Sequence, residues 1–255
     1  MGEPGRRCGK TAMKASPWLL AESGDLEAGR TVVLDPIEAR HLVGPLRRRQ
    51  GDEIVLADGH GSVAEAKLVA IGKERVEAEI VAVRCEPRPA SGGVTVALAM
   101  IENRAMDWAV QKAVEVGVGR IVPMETGRAQ VRGKDLAGRV EHWRRIALQA
   151  LKQCRRPWAM DVGNVVRLAD LVEGSEEAGV VADREGSSIG ELPEGAGALL
   201  MVGPEGGFTS EESELFDCRG WPRLRLGPHI LRAETAAVVG GAIMVARAGE
   251  KLRNR

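Results

Sequence analysis

The alternation of short apolar runs with helix-like segments in residues 94–226 restricts the fold more than any other feature. The apolar runs are residues 94–101, 120–123, 179–182, 198–202 and 223–226. Continuous apolar strands separated by helices are typical of a mostly parallel sheet that is covered on both faces. We therefore predict an α/β fold for this part of the chain.

Two of the intervening segments have apolar stripes at helical spacing. The spacing predicts one helix over residues 106–116, stopped by Gly117, and another over residues 140–154. The buried stripes are predicted to be Met106, Ala109, Val110, Ala113 and Val114 in the first helix, and Val140, Trp143, Ala147, Ala150 and Leu151 in the second.

The N-terminal part has a different pattern. Residues 53–84 alternate apolar and polar positions around the turn at residues 58–61, which predicts a small β-barrel. Before it, Asp35 and Pro36 start a short helix that Gly44 and Pro45 should end. The proline-containing segment 86–93 is typical of a linker. We predict a flexible basic extension over residues 1–15, a β-barrel domain over 16–88 and an α/β domain over 94–255.

Several protein classes are disfavoured by composition. No stretch reaches the roughly 20 apolar residues that span a bilayer, and the N-terminus lacks the apolar segment of a signal peptide. The four cysteines form no CxxC pair, and the four histidines lack metal-ligand spacing. We expect a cytoplasmic protein with no membrane segment and no metal.

Charge is distributed unevenly, although the net charge is zero. Residues 101–160 contain 12 basic and 6 acidic residues, whereas residues 161–220 contain 3 basic and 14 acidic residues. Such segregation makes a polyanionic partner plausible.

A glycine-rich loop follows the apolar run 198–202 directly. Its sequence is Gly203-Pro-Glu-Gly-Gly207, and Thr209 with Glu212 can form a capping box for the next helix. Glycines let a backbone approach a ligand closely, and ligands of open α/β sheets bind at strand ends. The loop lacks the pattern of a P-loop or a dinucleotide site, so it is either a site for another ligand or an ordinary tight turn.

A second unusual segment, residues 226–235, also follows a strand candidate and opens a final apolar helix over residues 236–246. Gly240 and Gly241 each cost that helix about 1 kcal/mol relative to alanine, so a dimer interface or a crossing chain should require their small size. Arg232 and Glu234 stand in a mostly uncharged stretch and form either a structural ion pair or part of a functional site.

The paired motifs Val202-Gly-Pro-Glu-Gly-Gly207 and Leu226-Gly-Pro-His-Ile-Leu-Arg-Ala-Glu-Thr235 closely resemble the C-terminal signatures of the RsmE family, methyltransferases of the SPOUT superfamily. The resemblance continues upstream through residues 106–117, 121–123, 143–147 and 153–156, and reaches residues 41–47 and 51–54. It covers most of residues 16–248.

This resemblance implies a small N-terminal PUA-like β-barrel and a C-terminal SPOUT domain with a deep trefoil knot. It also implies a homodimer that uses S-adenosylmethionine to methylate N3 of a uridine in 16S ribosomal RNA of the small subunit. The residues expected to contact the cofactor are Val202, Gly203, Glu205, Gly206, Gly207, Leu226, Gly227, Ile230 and Leu231.

Transfer to uridine N3 requires removal of a proton and stabilisation of the resulting negative charge. Our hypothesis is that Arg232 stabilises that charge and that Glu234 orients the arginine or accepts the proton. Glu205 is an alternative partner for the cationic methyl donor.

Phosphate contacts dominate RNA affinity, so clustered arginines are the candidates for RNA binding. They are Arg47, Arg48, Arg49, Arg104, Arg128, Arg132, Arg155 and Arg156. The five tryptophans are expected to be mainly core residues.

The chain departs from the family at Glu102-Asn103, at Thr126-Gly127-Arg128 and at Pro45, which are regions expected to face RNA. Two alternatives therefore stay open. The protein is either a SPOUT methyltransferase of another RNA, or an RNA-binding assembly factor without catalysis.

Overall fold

The computed structural model describes residues 16–253 apart from 23, 25, 73, 74, 90–92, 130–134, 177, 194 and 195. The predicted extension over residues 1–15 lies outside this part. The chain divides into two compact units, the first ending at Glu86 and the second beginning at Pro87.

The first unit is a five-stranded sheet with one helix, in the strand order β1-β3-β4-β5-β2. Its pairs are antiparallel except β1 with β3, which is parallel. The elements are β1 (Trp18–Leu20), β2 (Thr31–Val33), α1 (Pro36–Val43), β3 (Glu53–Ala57), β4 (Ser62–Ile71) and β5 (Val76–Cys85).

Local sequence explains the start and end of α1. The Asp35 carboxylate accepts a hydrogen bond from the Ile37 amide at 2.7 Å, and proline occupies the first turn, where it loses no helical hydrogen bond. The helix ends before Gly44, as predicted. Leu42 is fully buried among residues of the sheet such as Leu56 and Leu68, so alternation along the strands and one helical face together form this core.

The second unit is a seven-stranded sheet in which every pair is parallel. The strand order is β12-β10-β11-β6-β7-β8, and β9 also pairs with β7. The strands are β6 (Thr95–Ala99), β7 (Arg120–Glu125), β8 (Asp161–Val162), β9 (Val166–Arg167), β10 (Gly179–Ser187), β11 (Leu199–Val202) and β12 (Arg223–Leu224). The helices are α2 (Asn103–Glu115), α3 (Leu136–Cys154), α4 (Leu168–Glu173), α5 (Ser210–Cys218) and α6 (Ala233–Arg253). The predicted α/β fold is confirmed, and the deep knot stays a prediction.

Both predicted helical stripes are buried in full. The helices begin earlier than their apolar patterns because acidic side chains cap them. Glu102 accepts a hydrogen bond from the Ala105 amide at 3.3 Å, and Asp135 accepts one from the Gly138 amide at 2.9 Å. After α2, Gly117 has φ +93°, the left-handed conformation expected of the stop.

Gly240 and Gly241 allow α6 to pack directly on the parallel sheet of the same chain. A Cβ atom at Gly240 would lie 2.4 Å from Leu200 Cδ2 in β11, and one at Gly241 would lie 2.8 Å from Val118 Cγ2. Packing within one protomer accounts for the small size of both glycines, and the dimer interface expected at this helix stays a prediction. The Gly240 Cβ would also approach Leu226, in the segment that precedes α6, at 3.2 Å.

The start of α5 is tied to the loop that follows β7. Thr209 and Glu212 form the predicted capping box, with Glu212 Oε2 accepting from the Thr209 amide at 2.8 Å. The other carboxylate oxygen, Oε1, accepts from the Gly127 amide at 2.7 Å. A Cβ at Gly127 would lie 2.7 Å from Thr209 Cγ2, so the tight approach requires glycine here.

No described helix combines the length and the apolar character needed to cross a membrane. Among the described residues, no group of three or more histidine, cysteine or acidic side chains is arranged to hold a metal ion.

Gly240→Ala should lower the free energy of unfolding by about 1–3 kcal/mol, because the added methyl overpacks the contact with fully buried Leu200. Gly249→Ala is the matched control in the same helix, since its Cβ meets nothing within 4 Å. It should be neutral or raise stability by up to about 1 kcal/mol through helix propensity. Urea unfolding of both variants makes the comparison, and equal effects would contradict the packing explanation.

Gly127→Ala should lower stability by about 1–3 kcal/mol through its clash with Thr209. Thr209→Ser removes the clashing Cγ2 and retains the hydroxyl that caps α5, so the double variant should recover most of the stability. A double-mutant cycle in urea measures the coupling. If the two destabilising effects simply add, the proposed clash does not limit this position.

Candidate functional site

The loops after β11 and β12 enclose one cavity of about 530 Å³ at the carboxyl ends of the strands. This is the position at which parallel sheets bind ligands. Every residue that the sequence predicted to contact a cofactor lines this cavity. They are Val202, Gly203, Glu205, Gly206, Gly207, Leu226, Gly227, Ile230 and Leu231.

Two glycines of the first loop have a structural reason. Gly207 has φ +68°, which side chains rarely adopt, and its amide donates to the Pro204 carbonyl at 2.8 Å. At Gly203, a Cβ would lie 3.2 Å from the Phe208 ring. The chain can therefore turn sharply after buried Val202 while presenting its backbone to the cavity.

The second loop supplies apolar side chains. Leu226 and Leu231 are half-buried, and Ile230 is 79% exposed at the rim. An aliphatic side chain this exposed, beside a cavity, is available to contact a ligand.

A third wall comes from the middle and C-terminal part of β10, which was not among the predicted cofactor contacts. Ala182, Asp183, Arg184 and Glu185 all line the cavity. The sequence could have indicated this wall. Residues 179–182 were predicted as a strand, and the residues that follow parallel strands lie at the same edge of the sheet. What the sequence lacked was the order of the strands, which places β10 beside β11.

The Asp183 carboxylate on this wall pairs with Arg223. Arg223 donates to Asp183 Oδ2 at 3.1 Å and to Asp217 Oδ1 at 2.7 Å. The hydrogen bond to Asp217, together with the one to Asp183, raises the pKa of Arg223 above its ordinary value against the opposing effect of burial. This network fixes the Asp183 side chain at the edge of the cavity.

Arg128, predicted as an RNA ligand, contacts the first cavity loop. Its Nη1 donates to the Gly206 carbonyl at 2.8 Å and to the Phe208 carbonyl at 3.0 Å. A charged donor that joins two carbonyls of one turn restrains the turn. The side chain is otherwise exposed, so Arg128 links the segment after β7 to the cavity.

The two candidate catalytic residues lie where the second loop enters α6. Arg232 is exposed, Glu234 is half-buried in the first turn, and both flank Ala233, which lines the cavity. Neither forms an ion pair within the described part of the chain. The structural ion pair that the sequence left open is therefore not formed.

The remaining candidate RNA ligands are divided between the two units. Arg47, Arg48 and Arg49 follow α1 in the first unit, whereas Arg104 and Arg155 are exposed at opposite ends of the helical pair in the second. Arg132 lies outside the described residues.

Arg156 has a structural role. Its Nη1 donates to the carbonyls of Val118 at 2.7 Å and Val114 at 3.2 Å, which stabilises the turn between α2 and β7. Burial lowers the pKa of this arginine and raises the pKa of the neighbouring Cys154 thiol. RNA binding by Arg156 stays a prediction.

Comparison with known proteins agrees with this architecture. Residues 88–245 match a family described as an RNA methyltransferase domain, and residues 34–81 match an RNA methyltransferase PUA domain. The chain is 30% identical to the ribosomal RNA small subunit methyltransferase E of Bacillus subtilis, covering 83% of this chain and 88% of that protein. It is 31% identical to the Aquifex aeolicus protein of the same name, covering 82% and 92%.

Solved structures show the same fold. The ribosomal RNA small subunit methyltransferase E of Neisseria gonorrhoeae, bound to S-adenosyl methionine, superposes with a TM-score of 0.82 at 30% identity, covering 91% of this chain and 97% of that one. A Legionella pneumophila methyltransferase in complex with the same cofactor has a TM-score of 0.82 at 27% identity and the same coverage. The chain therefore belongs to the RsmE family of ribosomal RNA small-subunit methyltransferases, with a PUA-like domain followed by an α/β RNA methyltransferase domain.

Proposed function

We propose that this protein transfers the methyl group of S-adenosylmethionine to N3 of a uridine in 16S ribosomal RNA of the small subunit. The observation that carries the proposal is the convergence of two separate sequence motifs on a single cavity at the carboxyl edge of the sheet. Relatives named for methylation of small-subunit ribosomal RNA, and neighbours that bind S-adenosylmethionine, support the same activity.

The cavity fits the cofactor in size and in chemistry. Its volume of about 530 Å³ is in the range of sites for ligands of several hundred daltons. Bare backbone at Gly203, Gly206 and Gly227 would meet the polar edges of the ligand, while Leu226 and Leu231 would pack against its flat base. S-adenosylmethionine supplies an electrophilic methyl group on a cationic sulfur.

One carboxylate at the cavity is available to match that positive charge. Glu205, on the first loop, forms no ion pair with the described residues, whereas Asp183 and Glu185 on the β10 wall pair with Arg223 and Arg184. Carboxylates near a cation in a partly dry cavity stabilise it more than they would in water. This favours a cationic ligand over a phosphate, which the glycine pattern also disfavours.

We assign proton removal and charge stabilisation at the uridine to residues where the second loop enters α6. The uridine must lose its N3 proton, and the resulting charge spreads over N3 and both carbonyl oxygens. We assign the stabilisation of that charge to Arg232, whose guanidinium forms no ion pair with the described residues and is therefore available. Glu234, in the first turn of the helix, orients the arginine or accepts the proton.

We further propose that the active form is a cytoplasmic homodimer. On α6, the apolar residues Val238, Val239, Ala242 and Ile243 are only half-buried in a single protomer. A second copy would cover this helix face and remove its apolar surface from water.

Mass spectrometry of nucleosides from unmodified small subunits, incubated with the protein and S-adenosylmethionine, tests the proposal. New N3-methyluridine supports it. Methylation of a different RNA or position would identify another SPOUT substrate. Cofactor and RNA binding without any methyl transfer would favour an assembly factor and overturn the catalytic assignment.

Arg232→Ala should lower turnover by about a hundred- to a thousandfold, the usual cost of removing one group that stabilises developing charge. Cofactor affinity, measured by calorimetry, should change little, because Arg232 does not line the cavity. Arg167→Ala, at an exposed arginine of β9, is the control for removal of one positive charge. Full turnover by the Arg232 variant would remove this residue from the catalytic group.

Arg128→Ala should weaken binding of S-adenosylmethionine by about five- to a hundredfold, because it removes both hydrogen bonds that restrain the Gly206–Phe208 turn. Arg128→Lys should recover part of the affinity, since an ammonium can reach one carbonyl. Calorimetry without RNA isolates this effect from RNA binding. Unchanged cofactor affinity with weakened RNA binding would instead favour the role predicted from the sequence.

A further inference from the structure

A groove of about 860 Å³ runs between α2 and α3, lined by residues that the proposed reaction does not use. Residues further along α2 contact residues further along α3. Asn103 contacts Arg139, Asp107 contacts His142, and Val114 at the end of α2 contacts Arg156 just after α3. The helices therefore run parallel, as expected of crossovers between parallel strands. The groove lies on their outer side, and their apolar stripes face the protein core.

The groove has an aromatic residue at its centre. Trp108 is 42% exposed, so the expectation that the tryptophans are mainly core residues is wrong for this one. Trp143 and Trp221 are buried, as expected. An indole left open to solvent on a helix surface has its ring available for a flat partner.

Polar groups surround the indole at helical spacing. Arg104 and Gln111 accompany Trp108 on α2, and Arg145, Gln149 and Gln153 project from α3. Side-chain amides offer both donors and acceptors, and arginine offers only donors. This set matches the edges of nucleobases and the oxygens of phosphates.

Positive charge in the groove is not neutralised. Neither Arg104 nor Arg145 forms an ion pair with any side chain that the structure describes. The carboxylate that lines the groove, Asp107, already accepts hydrogen bonds from His142 Nε2 and Trp143 Nε1, each at 3.1 Å. The groove is therefore suited to an anionic partner.

We propose that this α2–α3 groove binds a single-stranded segment of the RNA substrate. Trp108 stacks on a base, Arg104 and Arg145 contact the flanking phosphates, and the glutamines contact base edges. The inference rests on the proposed function for the identity of the RNA, but its chemistry follows from the groove alone.

The same chemistry disfavours a second copy of the chain as the occupant. A two-fold interface places the same surface on both sides, so it must be self-complementary. Here the two arginines would need carboxylates from the copy, and Asp107 is already engaged. RNA supplies the missing negative charge directly.

Fluorescence anisotropy of the full chain with a labelled single-stranded RNA of mixed sequence, about twelve nucleotides long, tests the stacking. Trp108→Ala and Trp108→Leu should each weaken binding by about five- to a hundredfold, whereas Trp108→Phe should stay within about threefold. Wild-type affinity in the alanine variant, or in the leucine variant, would overturn the proposal, as would failure of the wild type to bind.

The phosphate interactions are tested by salt dependence. Arg104→Gln with Arg145→Gln should reduce the slope of log K against log salt by about 1.4, because each phosphate that an arginine neutralises on a single strand contributes roughly 0.7 to that slope. Arg167→Gln is the control for removal of one positive charge elsewhere and should leave the slope unchanged. A reduction of about 0.7 in this single control, the value for one neutralised phosphate, would show that general charge, and not the groove, binds the RNA.

Sedimentation of the same variants separates the competing occupant. If Trp108→Ala halves the molecular mass as RNA binding falls, the groove is an interface between copies and the proposal is wrong.

Methylation of small subunits by the wild type and by Trp108→Ala is measured in parallel. If the wild type methylates the subunits and Trp108→Ala binds RNA as tightly as the wild type, only the groove proposal is overturned. If the wild type does not methylate the subunits but Trp108→Ala binds RNA more weakly, only the proposed function is overturned.

Discussion

The close approach of α6 to the parallel sheet is the interaction on which the cavity depends. Gly240 and Gly241 leave no room for a Cβ, so the helix backbone lies against Leu200 and Val118. Leu226 packs beside Gly240 and at the same time lines the cavity. The position of the second loop therefore follows from the helix that it leads into, and two glycines that are unfavourable for helix formation are retained for packing.

The first loop is restrained by a different segment. Arg128 holds the carbonyls of Gly206 and Phe208, and the Gly127 amide binds Glu212 in the capping box of α5. Gly127 fits closely against Thr209, and Arg128 joins the segment after β7 to the cavity.

Much of this could be predicted from local pattern. Sequence spacing reveals features that depend only on nearby residues. These are the apolar stripes of α2 and α3, the helix caps at Asp35 and Thr209, and the strand ends before both cavity loops. The β10 wall, the Arg128 hydrogen bonds and the exposure of Trp108 were missed. Each of these features depends on which segments, distant in sequence, pack against each other. Local sequence propensity carries no information about such packing.

The sequence by itself determined the class of the protein, the order of its two domains and the two motifs that line the cavity, because periodicity and glycine placement act over a few residues. Only the tertiary structure decided that residues 182–185 join those motifs, and that Arg128 and Arg156 bind backbone carbonyls. An arginine satisfies its donors with whatever acceptor the fold brings near, and a backbone carbonyl with two lone pairs can accept from it even beside a main-chain hydrogen bond. The sequence places the charge on the chain, and the packing of distant segments assigns its partner.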